Sequence, residues 1–228
     1  MPELALTGYE FSDTTELRQY AEEVPGGSSV AWLRALAAER SAVMVMGLAE
    51  TAGDRVYNTA VVVGPEGLVG KYRKLHLFDR EKELFHPGDE GLQVFDIGGV
   101  KIGIMICFDW IFPEVARTLA LRGAQILCHP SNLVLPYCQK AMFARSVENG
   151  VFTITANRVG MEERVGRQFV FSGNSQILDP RGEPLAQAGG ETVEARVVDI
   201  EPKAALNKEI TSANHLFRDR RTAFYGLE

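Results

Sequence analysis

The spacing of hydrophobic residues changes along the chain and predicts helices that alternate with strands. Residues 30–40 carry Ala and Leu at the spacing of one helix face, which predicts an amphipathic helix. Residues 42–48 form a short apolar run, which predicts a buried strand. Residues 113–121 return to helical spacing, with a proline in the first turn and Gly123 just past the end, and predict a second helix.

Two pairs of apolar segments predict β-hairpins. Residues 56–63 and 68–72 flank a turn with two glycines and a proline, and residues 92–97 and 100–106 flank a pair of glycines. Glycine and proline are the residues that tight turns need, so each pair is expected to be antiparallel.

Later segments predict strand–helix–strand units and a last hairpin. A strand at 124–128 follows the helix at 113–121, and a helix at 136–149 leads into a strand at 151–156. A turn at 179–182 predicts the last hairpin. Because hairpins and helical crossovers occur in one chain, we predict an α/β fold with a mixed, mostly buried sheet.

The composition predicts one domain over residues 1–228. Of the 228 residues, 46% are hydrophobic and 24% are charged, and neither a fixed-period repeat nor a linker interrupts them. The formal net charge is -6, so phosphate backbones and anionic membrane surfaces would repel the chain. No apolar run is long enough to span a bilayer, and the first residues lack a secretory pattern. We therefore expect neither a nucleic-acid nor a membrane partner.

The three cysteines predict reduced thiols. Cys107, Cys128 and Cys138 are odd in number and have no CxxC spacing, which argues against disulfides or a zinc site and favours the cytoplasm. Cys107 ends an apolar strand shortly before the helix at 113–121, whose positive end would favour a thiolate. On this feature alone, a small core residue is the better interpretation, as it is for the other two cysteines.

Lys74 follows a predicted hairpin strand and alternates with apolar positions, which would point it inward. An inward-facing lysine must be paired or functional. A lysine within a basic cluster is more often solvated, so this feature also needs support from elsewhere in the chain.

That support comes from three segments that together resemble the signature blocks of the nitrilase superfamily, the carbon–nitrogen hydrolases. The segments are MPELALTGY, GKYRKLHLF and GIMICFDWIFPE. The resemblance continues in order through EKELFHPGD, HPSNLVLPY, SVENGVFTITANRVG and NHLFRDRR, so it covers nearly the whole chain. It implies a four-layer α-β-β-α sandwich and hydrolysis of C–N bonds other than peptide bonds, with no cofactor.

The resemblance implies Glu3 as general base, Lys74 as stabiliser of the tetrahedral intermediate and Cys107 as nucleophile. A free thiol has a pKa of about 8.5 and is mostly protonated at neutral pH, so a carboxylate that takes its proton would convert it to the reactive thiolate. Lys74 and the backbone N–H of Phe108 would stabilise the oxyanion. Ammonia would leave, and water activated by Glu3 would release a carboxylic acid from the Cys107 thioester.

Glu81 matches a second active-site glutamate of the family, although Glu83 lies close enough to compete for the role. For substrate binding we predict Tyr9 and Asn132. Weaker candidates for lining the pocket are His129, Trp110 and Asn157. No metal is expected, because the histidines are scattered without ligand spacing; these are His76, His86, His129 and His215.

The family fold is usually paired into dimers, so the resemblance also implies a homodimer or a higher homo-oligomer. The expected contact elements are residues 136–149 and residues 215–226, the latter within a C-terminal tail at 207–228.

The residues after the cysteine favour a small amide as the substrate. Enzymes that act on true nitriles commonly have Cys-Trp-Glu, whereas this chain has Cys107-Phe108-Asp109 and resembles the amidase-like branches. A nitrile and an N-carbamoyl amino acid stay open as alternatives, as does an ω-amide of a dicarboxylate, because no feature of the sequence fixes the acyl group.

The position of Glu3 leaves a different class of function open. Family members have a strand and a helix before this glutamate, so we expect the chain to be truncated at its start, to lack both elements and to hold Glu3 loosely. A catalytically silent fragment or binding module is the resulting alternative.

Overall fold

Helices and strands alternate along residues 1–226, which are the residues that this computed structural model describes. Leu227 and Glu228, the end of the predicted tail, lie outside the described residues. The helices are α1 (Thr14–Tyr20), α2 (Ser28–Arg40), α3 (Glu81–Leu84), α4 (Pro113–Leu121), α5 (Cys138–Asn149) and the 3₁₀ helices Cys107–Ile111, Pro202–Leu206 and Thr222–Phe224. The strands are β1 (Met44–Ala52), β2 (Arg55–Gly64), β3 (Gly67–Arg73), β4 (Val94–Asp96), β5 (Lys101–Ile104), β6 (Ile126–Ser131), β7 (Phe152–Asn157), β8 (Val159–Arg164), β9 (Arg167–Ser172), β10 (Gln176–Leu178) and β11 (Pro184–Gln187).

The strands form two large sheets and a separate hairpin. Strands β1, β2 and β3 make an antiparallel sheet in chain order. The second sheet has the order β11-β10-β7-β6-β5-β4, in which β5, β6 and β7 run parallel and the outer pairs are antiparallel. Strands β8 and β9 pair only with each other. The predicted mixed sheet is therefore confirmed.

Alternation along β2 shows why the chain forms layers. Val61 and Val63 pack with residues of α2 in one apolar cluster, whereas Ala60 and Val62 belong to the cluster that contains the second sheet. Successive side chains of a strand point to opposite faces, so β2 must be covered on both sides. It lies between a helix and the other sheet.

The second sheet is covered in the same way. A Cβ on Gly103 of β5 would touch Leu119 of α4, so this position faces the helices, and its neighbours Ile102 and Ile104 face the first sheet. Helix α5 packs beside α4 on that outer side. The order is α2, three-stranded sheet, six-stranded sheet, then α4 with α5, which is the predicted four-layer sandwich.

Most predicted elements are confirmed with shifted ends. The helix predicted at 113–121 is α4 without any shift, and the strand predicted at 42–48 begins two residues later as β1 and runs on to Ala52. Helix α1 and the β8–β9 hairpin were not predicted. Helix α1 is short and begins where the Asp13 side chain accepts a hydrogen bond from the Glu16 N–H, a local signal that periodicity does not register.

The first residues lie against the outer edge of β1. The Gly47 N–H donates to Pro2 O over 3.1 Å, and the Ala5 N–H donates to Gly47 O over 2.9 Å. A Cβ on Gly47 would lie 2.5 Å from Glu3 Cα, so only glycine allows this approach. Glu3 is consequently fixed, and the expectation that it is loosely held is wrong. The strand and helix expected before Glu3 stay a prediction.

Along the described residues, no helix combines the length and the apolar character that crossing a bilayer requires.

Candidate active site

Four charged or nucleophilic side chains from distant parts of the chain meet between the two sheets. Glu3 precedes β1, Lys74 follows β3, Glu81 begins α3 and Cys107 begins the 3₁₀ helix after β5. The Lys74 ammonium lies 2.7 Å from Glu3 Oε1 and 2.7 and 2.8 Å from the two Glu81 oxygens. All four residues are buried. The structure thus brings together the predicted catalytic residues.

Lys74 is held as a charged ammonium. Burial acts to lower the pKa of this lysine, but the carboxylates of Glu3 and Glu81 outweigh burial and raise the pKa above its ordinary value. Its side chain is fully buried and points inward, as predicted. A positive charge that cannot be lost near neutral pH suits electrostatic stabilisation rather than proton donation.

The two oxygens of Glu3 have different surroundings. Oε1 accepts hydrogen bonds from Lys74 Nζ and from Asn58 Nδ2, each over 2.7 Å. Oε2 is buried and has no hydrogen-bond partner among residues 1–226. Burying a carboxylate oxygen without a hydrogen-bond donor costs free energy, so such an atom in a native structure calls for a functional explanation. Oε2 is therefore the atom of this cluster that is available to take a proton.

Glu81, rather than Glu83, is the second carboxylate of the cluster. Glu81 is 3% exposed and also accepts hydrogen bonds from the Tyr9 hydroxyl and the Phe78 N–H, whereas Glu83 lies at the surface beside Arg80. Burial raises the pKa of Glu81 to about 7. The Lys74 ammonium lowers this pKa but cancels only part of the rise. This carboxyl therefore titrates near neutral pH.

Tyr9 has a different partner from the one expected of a substrate-binding residue. Its hydroxyl lies 2.8 Å from Glu81 Oε1, and its ring packs edge-on against Phe169 and Phe171 of the β8–β9 hairpin. The Glu162 carboxylate of the same hairpin accepts the Tyr9 N–H over 3.1 Å. The hairpin that sequence patterns did not predict thus fixes Tyr9 against Glu81.

Cys107 occupies a backbone conformation that few non-glycine residues adopt. Its φ is 41°, at the point where the chain turns from β5 into the 3₁₀ helix. Helix α4 begins only at Pro113, so the expected α-helix N-terminus does not lie at the thiol. Burial and then Glu3 raise the pKa of Cys107 well above its ordinary value, with Lys74 opposing. The contribution of the helix end to a thiolate is therefore absent here, and the direction of the pKa favours a thiol that needs a base to remove its proton.

Two buried residues hold the backbone around Cys107. His129 Nε2 lies 2.9 Å from the Cys107 carbonyl oxygen, and burial lowers the pKa of His129 to about 4, so the neutral ring donates this bond. Asp109 accepts the Ile106 N–H over 2.8 Å and the Tyr72 hydroxyl over 2.8 Å. These contacts stabilise the turn on both sides of the cysteine.

A narrow cavity opens next to Cys107. Asn132 lies in its wall, where its Nδ2 donates to the Glu3 carbonyl oxygen over 3.0 Å and its buried Oδ1 has no partner among the described residues. The other lining side chains are apolar or aromatic; they are Phe78, Phe108, Trp110, Leu133, Val134 and Leu135. Asn132 and Trp110 both line this cavity, and substrate binding by Asn132 stays a prediction.

The remaining histidines and cysteines lie away from this cavity or support it. His76 Nδ1 lies 2.7 Å from Asp109, and His215 Nδ1 accepts hydrogen bonds from backbone N–H groups of the tail. Burial raises the pKa of Cys128 to about 11 and that of Cys138 further still, as expected for packed thiols. Within residues 1–226 no group of three or more His, Cys, Asp or Glu residues is arranged to hold a metal ion.

Sequence reasoning missed the residues that position the cluster. Asn58 alternates with apolar residues in β2, and a buried asparagine within an apolar strand is the kind of signal that points to a site. His129 was a candidate for the pocket wall, but its bond to the Cys107 backbone was not predicted, and Glu162 left no signal, because both roles depend on hydrogen bonds to backbone groups that are remote in sequence.

Known proteins resemble this chain over most of its length. A family model described as carbon-nitrogen hydrolase matches residues 1–205. A nitrilase of Pyrococcus abyssi is 48% identical over 225 residues, which cover 99% of this chain and 84% of the relative. An (R)-stereoselective amidase of Pseudomonas sp. is 34% identical over 229 residues, which cover 99% of this chain and 80% of the relative.

The fold also resembles a solved structure. The crystal structure of a carbon-nitrogen hydrolase from Helicobacter pylori G27 aligns with a TM-score of 0.80 at 30% identity. The alignment covers 86% of this chain and 74% of that one.

Proposed function

Since this chain belongs to the carbon–nitrogen hydrolase family and is an enzyme of that class, we propose that it cleaves the C–N bond of a small amide through a thioester on Cys107. The products are ammonia and a carboxylic acid. The proposal gives Glu3, Lys74, Cys107 and Glu81 the roles that follow from their contacts.

The main support for the proposal is that the two oxygens of Glu3 differ in their hydrogen bonds. Oε1 is occupied by Lys74 and Asn58, whereas Oε2 is buried and without a partner in the described part of the chain. Burial and nearby carboxylates keep Cys107 as a thiol, so attack requires a base at the moment of reaction. Glu3 Oε2 supplies that base.

In the first half of the reaction, the Cys107 sulfur forms a bond to the amide carbon while its proton passes to Glu3 Oε2. The carbonyl π bond opens, and its electron pair moves to oxygen. Lys74 stabilises this oxyanion together with the Phe108 N–H. The Phe108 N–H is not used within the 3₁₀ helix, whose first hydrogen bond runs from the Asp109 N–H to Ile106 O over 3.0 Å.

The intermediate then collapses in two stages. The carbonyl re-forms, the C–N bond breaks, and Glu3 returns its proton to the departing ammonia, which leaves a thioester on Cys107. A water molecule loses a proton to Glu3 and attacks the thioester. When the C–S bond breaks, the proton returns to sulfur, so the enzyme is regenerated. Glu81 holds Lys74 in place throughout, with its carboxylate bonded to Nζ.

A second candidate substrate is a nitrile, and the 48% identity to the Pyrococcus abyssi nitrilase favours it. The thiol would add to the nitrile carbon to give a thioimidate, and water would then expel ammonia and leave the same thioester. Cys107-Phe108-Asp109, which departs from the Cys-Trp-Glu of nitrile-specific enzymes, favours the amide. An N-carbamoyl amino acid is the third candidate.

The deciding experiment is an ammonia-release screen over matched amides, nitriles and N-carbamoyl amino acids, run beside Cys107→Ala. We expect amides to give the larger kcat/KM at equal acyl groups, and no ammonia from Cys107→Ala. Faster acid production from the nitriles would replace the amide assignment. Absence of turnover with every compound would favour the silent fragment or binding module.

We also propose a homodimer formed through α5 and the tail. Large apolar side chains of α5 lie at the surface, with Phe143 51% and Val147 38% exposed, and single subunits seldom leave such side chains clustered. Phe143→Glu should convert the dimer to monomer in light scattering, whereas Trp32→Glu, on the opposite helix layer, should not. A wild-type protein that is monomeric at every concentration would contradict the proposal.

A further inference from the structure

We infer that the acyl group of the substrate is small, uncharged and apolar, so that amides bearing a carboxylate are poor substrates. This inference rests on the proposed function and narrows it, because it excludes ω-amides of dicarboxylates and N-carbamoyl amino acids. It depends on the cavity beside Cys107, on the charges around that cavity and on its size.

The cavity has an almost entirely apolar lining. The acyl wall, as we name it, consists of Phe78, Phe108, Trp110, Leu133, Val134 and Leu135. Apart from Cys107, Asn132 supplies the polar group of the lining. An acyl group that lies against the acyl wall leaves water and contacts apolar side chains instead. This transfer favours apolar groups and costs free energy for any group that must stay hydrated.

Two cationic side chains close to the cavity are already engaged. The Lys74 ammonium is bonded to Glu3 and Glu81. Arg145 donates from Nε to the Trp110 carbonyl oxygen over 3.0 Å and from Nη1 to Glu148 over 2.9 Å. A substrate carboxylate needs a charge-assisted donor to offset its loss of water. Lys74 serves the reacting carbonyl in the proposed mechanism and is not available to a carboxylate at the far end of the acyl group, and Arg145 is bonded to Trp110 and Glu148.

The charge balance of the catalytic cluster adds to this exclusion. Glu3 and Glu81 carry two negative charges when ionised, and Lys74 carries one positive charge, so the cluster has a net charge of about −1 at a pH above the pKa of Glu81. The lining supplies no basic side chain to balance it. A second anion next to the cluster would be repelled in a poorly hydrated site.

The size of the cavity limits the acyl group further. The space in which a water-sized sphere fits is only about 10 Å³, far below the roughly 300–1,000 Å³ of sites for drug-sized ligands. The Phe108 ring forms part of the wall and is itself packed between Phe78 at 5.1 Å and Phe112 at 5.6 Å. A ring held on both sides cannot move to admit a larger group without disturbing its neighbours.

The test compares substrates of one shape and different charge. In 4-methylpentanamide an isopropyl group stands where succinamate has its carboxylate, so the pair isolates charge. We expect kcat/KM for the neutral amide to exceed that for succinamate by at least about a hundredfold. The corresponding nitriles, 4-methylpentanenitrile and 3-cyanopropanoate, are run in parallel, and N-carbamoyl-β-alanine is included as a further anion.

A charge placed in the acyl wall should reverse part of this preference. Val134→Arg should raise kcat/KM for succinamate relative to the neutral amide by at least about tenfold over Val134→Gln, which changes size without adding charge. If either variant fails to fold, Leu135→Arg and Leu135→Gln replace them.

The outcomes separate the inference from the function on which it rests. The inference would be overturned if succinamate were hydrolysed as fast as its neutral isostere. It would also be overturned if the arginine variants left the ratio of kcat/KM for the two amides unchanged. Either result would leave C–N bond hydrolysis at Cys107 in place. Absence of turnover with all of these compounds would overturn the proposed function, and the inference with it.

Discussion

The Tyr9 hydroxyl donates a hydrogen bond to Glu81 Oε1 over 2.8 Å, and the same carboxylate is bonded to the Lys74 ammonium. Both donors favour the ionised form of Glu81, against the burial that raises its pKa to about 7. Tyr9 therefore contributes one of the hydrogen bonds that favour the ionised form of a residue that holds Lys74.

Replacing Tyr9 by phenylalanine should shift the acidic limb of the pH profile. Loss of the hydroxyl removes a donor to the carboxylate, so the pKa of Glu81 rises further and its ionised form is lost at a higher pH. We expect the acidic limb of kcat/KM to move upward by about one pH unit, on the scale of one hydrogen bond. Tyr20→Phe, at an exposed position, is the control. An unmoved limb would show that Glu81 does not limit activity there.

Gly47→Ala should damage the site from a distance. The added Cβ would lie 2.5 Å from Glu3 Cα, so the first segment must move away from β1 and take the carboxylate with it. We expect kcat to fall by about a hundredfold, since roughly 1 Å of misplacement has effects of this size. Gly64→Ala, whose Cβ would meet its neighbours at 3.4 Å or more, should retain activity. Equal activity of the two variants would count against the close approach.

Lys74→Arg should lose at least about a hundredfold in kcat, the scale of a lost oxyanion donor. The guanidinium is planar and longer, so it cannot reproduce a point charge held between Glu3 and Glu81. Lys82→Arg, a surface exchange in the same stretch of chain, serves as the control. Thermal melts by circular dichroism separate loss of catalysis from loss of fold, and near-normal turnover of folded Lys74→Arg would make Lys74 peripheral.

Iodoacetamide, itself a small amide, should alkylate Cys107 before Cys128 and Cys138. Because Cys107 rests as a thiol, its alkylation needs Glu3 as the proton acceptor. Glu3→Gln should therefore slow it by roughly a hundredfold, on the scale of general base catalysis. Peptide mapping against time measures the three rates, with Glu83→Gln as the surface control. Equal labelling of all three thiols in the folded protein would remove the case for Glu3 as base.

His129 should make the fold less stable in acid. Its pKa is about 4 in the folded state and about 6.5 in the unfolded state, so the unfolded chain binds a proton first as the pH falls. The free energy of unfolding should consequently decrease by about 3 kcal/mol from this residue between pH 6.5 and pH 4. In urea titrations at several pH values, His129→Gln should be less sensitive over this window than wild type, and His86→Gln should behave as wild type. Parallel curves for wild type and His129→Gln would contradict the assignment.

The sequence predicted those parts of the fold and site that depend on short segments. Helix α4 was predicted without error because its proline, its apolar spacing and its terminal glycine all lie within a few residues. Lys74 and Glu81 could be singled out because their segments resemble family blocks. These signals are local, so one sequence is enough to reveal them.

The parts that were not predicted depend on contacts between distant residues. The positive end of the helix at 113–121 was expected close to Cys107, but a 3₁₀ turn intervenes, and it is set by hydrogen bonds from Ile106 and Tyr72 to Asp109. Periodicity does not report a bond between positions 72 and 109. The same is true of Tyr9, whose bond to Glu81 spans 72 positions of the chain.

Half of the acyl wall, residues 133–135, lies on the single loop between β6 and α5, whereas Glu3, Lys74 and Glu81 all lie within the first 81 residues. Selection of the acyl group and transfer of the proton are thus encoded in separate stretches of the gene. Mutations in the loop can redirect the enzyme toward new acyl groups while the proton-transfer machinery is inherited intact. A saturation library confined to these three codons is consequently the shortest evolutionary route from this protein to a hydrolase of different specificity.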